Sequence, residues 1–419
     1  MTTGLLIRGA RVVTMGPPGE RRGRALGELG VLERADVLVR HDRIVAVTSA
    51  RAAEEVGTRA APPGPRVVEA AGRVLVPGLV DCHTHACWAG QRLDEWEAGL
   101  RGQAAGTEGG YLRTLAGGGG ILSTVRAVRE ASADELRDSL LARLDVMLRH
   151  GTTTAEVKSG YGLSTTDELK MLRAIAAAAS RWPGTLVPTA LLGHAIDPEL
   201  GPGETVRRTV EQTLPAVSAE FPGIAIDAYC ERAAWSVGDC VRLFERAREL
   251  GHPVRVHADQ FTELGMVAEA VRLGARSVDH LEASGPASLL ALAGSETTAV
   301  LLPCAAFHLE GRSADGRTLL DAGARVAVAT NYNPGSAPCP SLPMAMALAV
   351  RRCGLSPGEA LGTATVGAAG VLGLADRGRI APGLRADLVL LRHTDERALA
   401  WEFGASPVDL TIAGGRIVG

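Results

Sequence analysis

Eight short apolar runs, alternating with helical segments, constrain this chain more than any other feature. They lie at residues 76–85, 153–157, 186–192, 224–229, 254–257, 277–280, 299–303 and 326–330. Near-continuous apolar strands separated by helices are the sign of a parallel sheet buried on both faces. Eight such units predict a closed (β/α)8 barrel of the α/β class. Helix starts are written into the connections. Ser132 followed by Glu135 is a capping box opening a helix that runs to His150-Gly151. A second helix is expected to open at Thr165 with Glu168 three residues on.

The two ends of the chain read differently. Leu5-Leu6-Ile7, residues 11–15, residues 36–40 and residues 43–47 are short strands, the last two joined at His41-Asp42 as a hairpin. Residues 386–391 and 408–418 repeat that style. Residues 1–73 together with 379–419 are therefore expected to form one small β-sandwich domain from both termini, and residues 74–378 the barrel. The stretch from Gly16 to Gly27 reads as a loop, and the glycine-rich stretch ending near Gly120 as an irregular insertion.

Composition narrows the function classes. A net charge of −3 with no basic block argues against nucleic acid or an anionic membrane surface as partner. Seven scattered cysteines without a Cys-x-x-Cys fit reduced thiols. No apolar run reaches the ~18 residues a membrane span needs, and no signal peptide is apparent. A cytoplasmic protein is expected.

The polar residues that interrupt the apolar runs gather where a barrel carries its chemistry, at the C-terminal ends of its strands. His83 and His85 end the first strand, with two imidazoles at i and i+2 on one face. Lys158 and Tyr161 follow the second, and His194 the third. Cys230-Glu231 end the fourth, His257 the fifth and His280 the sixth; Asn331 and Asn333 follow the eighth. Five of the ten histidines thus stand at strand ends, and neutral imidazole is the commonest protein metal ligand, so the rim is expected to bind a metal ion. His280 suits a general acid/base, with an unperturbed pKa of about 6.5. Lys158 is expected in an ion pair or loop hydrogen bond, and Glu231 either near the site or paired with Arg232 or Arg255. Histidines 41, 150, 252, 308 and 393 are expected to be surface or structural. Gly117 to Gly120 lacks the Gly-Lys-Ser/Thr of a phosphate loop and reads as a flexible loop.

The block from Pro77 to His85, Gly151-Thr152-Thr153-Thr154 and the β-rich ends resemble the amidohydrolase superfamily. Within it, residues 156–163 (EVKSGYGL), 257–260 (HADQ), 279–281 (DHL) and 333–336 (NPGS) are similar to the imidazolonepropionase family. That resemblance implies hydrolytic opening of 4-imidazolone-5-propanoate to N-formimidoyl-L-glutamate, a step of histidine breakdown. It implies a single zinc or iron ion on His83, His85 and His257, with Asn331 as fourth ligand. His280, Gln260 and Asn331 would form the catalytic group. Arg92, Tyr111, Tyr161, His194 and Gln260 would surround the substrate, and Asn333, Gly335 and Ser336 the opened product. It also implies a homodimer acting on a small carboxylate-bearing molecule. Two positions depart from the family pattern: Asn331 stands where Asp is usual, and Gln260 where Glu is frequent. Two readings stay open beside this one: a relative acting on another small ring, such as a hydantoin-like one, and a binding protein that has lost hydrolysis.

Overall fold

The structure is a computed structural model that describes residues 4–17, 19, 21–49, 66–101, 119–309 and 311–418. Strand β1 (Leu5–Val13) pairs antiparallel with β2 (Val31–Arg40), and β2 with β3 (Arg43–Ser49), whose register places Arg40 opposite Arg43. The two-residue turn between them puts His41 at φ 53°, a left-handed conformation. The sequence had suggested two strands on either side of Gly9. Instead β1 is continuous, because Gly9 takes φ 64° in an irregular stretch of the pairing and donates its N–H to Asp36 Oδ1 at 2.8 Å. Strands β4 (Arg66–Glu69) and β5 (Val74–Pro77) run parallel to β1.

At Gly78 the chain passes from this sheet into the barrel. A Cβ there would collide with the Thr153 side chain, so the crossing needs glycine. The barrel strands follow in order: β6 (Leu79–Asp81), β7 (Thr152–Lys158), β8 (Thr185–Gly193), β9 (Ala225–Cys230), β10 (Arg255–Ala258), β11 (Ser277–His280), β12 (Thr298–Leu301) and β13 (Val326–Val328). Each is parallel to the next. The ring closes just beyond β6 and β13 through a parallel bridge between Thr84 and Tyr332. There His85 N–H donates to Tyr332 O at 2.9 Å and Asn331 N–H to His83 O at 3.0 Å.

Strands β14 (Leu388–Leu391), β15 (Val408–Ala413) and β16 (Arg416–Ile417) then return to the first sheet, β14 lying antiparallel to β5. Both termini thus build one eight-stranded sheet. Alternation along β14 shows why it stays beside the barrel. Val389 and Leu391 join the barrel core, while Leu388 and Leu390 join a smaller cluster with Ile7, Val37 and Ile412. Both faces are dry, and each leucine so buried contributes about 1.5–3 kcal/mol.

The helix at Ala133–Arg149 starts at the expected capping box, with Ser132 Oγ accepting from Glu135 N–H at 3.2 Å and Glu135 Oε2 from Ser132 N–H at 2.8 Å. The helix Thr165–Ala179 differs from expectation. Its cap is Ser164, which accepts from Asp167 N–H at 3.1 Å. Glu168 instead turns back and accepts from the amides of Gly160, Gly162 and Leu163 at 2.9, 2.7 and 3.0 Å. That carboxylate shapes the loop carrying Tyr161. The stretch read as a loop between Gly16 and Gly27 includes a 3-10 helix, Gly23–Gly27, and the insertion after β6 includes a helix, Leu93–Arg101. No helix among the described residues is long and apolar enough to cross a membrane.

Candidate active site

His83 and His85 follow β6 directly, and His257 lies within β10. His85 Nε2 is 3.3 Å from His83 Nε2 and 3.3 Å from His257 Nε2. The opposite ring nitrogens of the outer two are engaged: His83 Nδ1 meets Asp279 Oδ2 at 2.6 Å, and His257 Nδ1 meets Asp227 Oδ1 at 3.1 Å. A carboxylate at Nδ1 fixes that nitrogen as the N–H and leaves Nε2 as a bare lone pair. Burial, joined by the positive charge of Lys158, holds the His83 pKa well below 6.5, and burial likewise lowers His85 and His257. Neutral imidazoles whose lone pairs converge repel one another until a cation sits between them. The three rings form a site for a metal ion.

Beneath the histidines lies a buried charge network. Lys158 Nζ donates to Glu156 Oε1 and to Asp227 Oδ2, both at 2.7 Å. Arg255 reaches Glu156 Oε1 at 3.1 Å and Asp279 Oδ2 at 2.8 Å. Burial and Arg255 oppose the charge on Lys158, but Asp227, Glu156 and Asp279 outweigh them and raise its pKa. Burial opposes the Asp227 charge in the same way, and His257 and Lys158 outweigh it, holding this carboxyl well below its usual range. Three carboxylates against two cations leave one negative charge under the metal site. Asp81 stands apart, bonded to Thr330 through Oδ1 at 3.2 Å and Oδ2 at 2.6 Å; burial pushes its pKa up to about 7.

The facing side of the site carries amides. Asn331 is left-handed at φ 57°, a conformation Asn and Asp tolerate better than most residues. Its Oδ1 is buried with no hydrogen-bond partner among the described residues. A buried acceptor left without a donor costs stability, and a cation held by the adjacent histidines would satisfy it. The three-histidine donor set therefore fits a metal ion. Gln260 Oε1 accepts from Tyr229 OH at 2.9 Å, and the Tyr229 ring lies 6.0 Å from that of His257. His280, left-handed at φ 94°, has its ring 5.6 Å from His257 and 6.1 Å from His83. Its Nδ1 is 3.2 Å from both Glu282 oxygens, and both side chains are buried. The partner of His280 is thus Glu282, while Asp279 belongs to His83.

The remaining predicted residues arrange themselves around this centre. His194 stacks on His85 with ring centroids 5.2 Å apart, and its Nδ1 lies 2.9 Å from Gly160 O. Burial, then His257, lowers its pKa to about 3. Tyr161 lies 5.0 Å from His194 and 6.2 Å from His85, ring to ring. Asn333 Oδ1 accepts from Gly335 N–H at 2.8 Å and Ser336 N–H at 2.7 Å, while its Nδ2 donates to Asn331 O at 2.6 Å. A Cβ at Gly335 would overlap the Arg92 guanidinium, so glycine admits that arginine against the turn. Tyr111 lies outside the described residues.

Residues 74–418 match the model of the amidohydrolase family. Imidazolonepropionase of Rubrobacter xylanophilus is 46% identical over 404 residues, covering 96% of this chain and 94% of that protein. Its counterpart in Deinococcus radiodurans is 44% identical over 402 residues, covering 96% of each. This chain belongs to the imidazolonepropionase family of amidohydrolases. Among solved structures, atrazine chlorohydrolase of Arthrobacter aurescens complexed with zinc superposes with a TM-score of 0.69 at 20% identity, covering 99% of this chain and 94% of that one, a likeness of fold.

Several residues of this family member's site were not singled out by sequence. Asp227, Asp279 and Glu156 interrupt otherwise apolar strands, and a charge in the middle of a buried strand was the available signal. Glu231 forms no ion pair with Arg232 or Arg255. It accepts main-chain N–H groups of Arg232, Phe261 and Thr262 at 2.8, 2.9 and 3.1 Å, which shapes the loop after β10 beside Gln260. His308, expected to be surface or structural, hydrogen-bonds the Gly335 backbone and feels the Arg92 charge.

Proposed function

We propose that this chain opens the ring of 4-imidazolone-5-propanoate with water, giving N-formimidoyl-L-glutamate, and holds a single zinc or iron ion on His83, His85 and His257. The observation that carries the reading is the convergence of three imidazole Nε2 atoms in a chain 46% identical to an imidazolonepropionase. Asn331 Oδ1, the buried acceptor without a donor, is the fourth protein ligand in this reading.

When bound, the ion supplies a water acidified from a pKa of 15.7 to about 7 and a Lewis acid for the carbonyl. The other tasks fall to side chains. Arg92 takes the propionate carboxylate, where a guanidinium binds bidentately. Tyr161 and His194 flank the ring, and Asn333, Gly335 and Ser336 receive the opened end. His280 takes the proton of the attacking water and returns it to the ring nitrogen as the C–N bond breaks. With amides at Asn331 and Gln260, the His280 imidazole is the group that both accepts and donates a proton in this reading. Glu282 orients it.

The test is the loss of imidazolone absorbance on freshly generated substrate, with metal content measured on the same sample. Turnover that rises with metal occupancy supports the reading. Ligand binding without turnover at full occupancy would instead show a binding protein, and turnover confined to hydantoin-like rings would show altered specificity. The reading also includes a homodimer, checked by light scattering.

A further inference from the structure

The end of the barrel opposite the histidines holds a cavity of about 480 Å³. Thr298 and Val326, at the starts of β12 and β13, form part of its wall, and four arginines line it: Arg21, Arg325, Arg377 and Arg379. No carboxylate is among the described residues that line it. Two of the four are neutralised from outside. Arg325 pairs with Glu296, and Arg377 with Asp376 at 3.0 Å. Arg377 also donates to Thr154 Oγ1 at 3.0 Å and Thr185 Oγ1 at 2.7 Å, tying the cavity to the lower ends of β7 and β8.

Arg21 and Arg379 are different. Among the described residues their partners are main-chain carbonyls: Ala25 O at 3.2 Å and Glu28 O for Arg21, Pro17 O at 3.2 Å and Gly19 O for Arg379. Carbonyls orient a guanidinium without cancelling its charge. Partial burial, then the charge of Arg21, lowers the Arg379 pKa, as expected for two like charges close together. Gly370 lies on the same wall, and a Cβ built there meets nothing within 4 Å.

We propose that this cavity is a binding site for a small polyvalent oxyanion, a phosphate group or a polycarboxylate, held between Arg21 and Arg379 with Arg325 and Arg377 beside it. Planar guanidiniums pair with both kinds of anion through parallel N–H bonds. A pocket lined by one sign of charge also concentrates the counter-ion it faces. An occupant would link the segment bearing Arg21 to the one bearing Arg377 and Arg379, bracing the base of the barrel.

The experiment titrates the full-length, metal-loaded chain with inorganic phosphate and, separately, with tricarballylate, each against sodium chloride at matched ionic strength. Calorimetry and thermal melting are the readouts. Saturable binding and a raised melting temperature are expected with one of the two, and which one assigns the anion class. The R21Q/R379Q double variant should bind at least about tenfold more weakly with imidazolone turnover unchanged, which separates this site from any anion reaching the histidines. Gly370→Glu places a carboxylate in the cavity at a helical position that accepts Glu better than Gly. It should abolish binding in a folded protein, as judged by circular dichroism. No saturable binding beyond the chloride control, or full affinity in R21Q/R379Q, overturns the proposal.

Discussion

The two sides of the metal site are built on opposite electrostatic plans. Below the histidines, Glu156, Asp227 and Asp279 are charged, buried and tied to Lys158 and Arg255. On the facing side stand Asn331 and Gln260, whose amides carry no charge, and one acceptor is left unsatisfied. The contrast teaches where this chain keeps its negative charge. It lies behind the imidazoles, as Glu156, Asp227 and Asp279 under the metal-binding histidines and as Glu282 at His280, and not at positions 260 and 331. An ion seated here would meet a more electropositive open face than a carboxylate at position 331 would leave, favouring an acidic water at some cost in metal affinity.

That comparison can be broken in four ways. The largest effect is expected from Lys158→Met, which strands Glu156 and Asp227 in the core. Losing one partner of a buried pair costs about 3–5 kcal/mol. Urea denaturation should show that loss; a change within about 1 kcal/mol would mean the network is not held by its charges. Asp279→Asn tests the orienting carboxylate, since an amide beside His83 Nδ1 no longer fixes the tautomer. Metal affinity should fall about 10–100-fold, read by competition with a chelator, and unchanged affinity would remove Asp279 from the site.

Asn331→Asp moves charge to the open face in a conformation Asp accepts. Metal should bind about tenfold tighter or more, with occupancy no longer limiting turnover. Turnover already maximal in the parent at one metal per chain would show that the amide face lacks nothing. The smallest effect concerns pH. His194 is neutral in the folded state down to about 3, whereas in the unfolded chain it takes up a proton near 6.5. The unfolded state therefore binds more protons, and stability falls as pH drops below about 6.5. This histidine alone should account for about 1 kcal/mol between pH 6.5 and 5.5, because the unfolded imidazole is only half protonated at the upper end of that range. His194→Asn should flatten that part of the melting-temperature profile, and an unaltered slope would assign the dependence elsewhere.

The barrel was legible because its strands are largely buried on both faces and so are written as nearly continuous apolar runs, bounded by strong helix starts such as Ser132. The metal-binding histidines were legible because nothing in a dry core favours an imidazole at a strand end. What the sequence hid were relations between distant residues. Nothing local distinguishes Asp279 as the partner of His83 from Asp279 as the partner of His280; the choice depends on how neighbouring strands stagger. Glu231 and Glu168 were equally ambiguous, because their acceptors' donors are main-chain amides that every residue carries. Helix Leu93–Arg101 escaped notice within glycine-rich surroundings, and Arg92 just before it reaches the Asn333–Ser336 turn only through the fold.

The closure of the ring has a consequence for how the molecule breathes. Other neighbouring barrel strands share ladders, but β6 and β13 meet through one bridge beyond their ends, at Thr84 and Tyr332. That seam joins residues nearly the whole barrel apart in sequence, and two flanking hydrogen bonds start or end on His83, His85 and Asn331. The one joint of the cylinder without a shared ladder is therefore also where its metal-binding histidines emerge. Deuterium should enter the His85 and Asn331 amides before those of β10 and β11, and an ion grasped across the joint would act as a clasp that slows it.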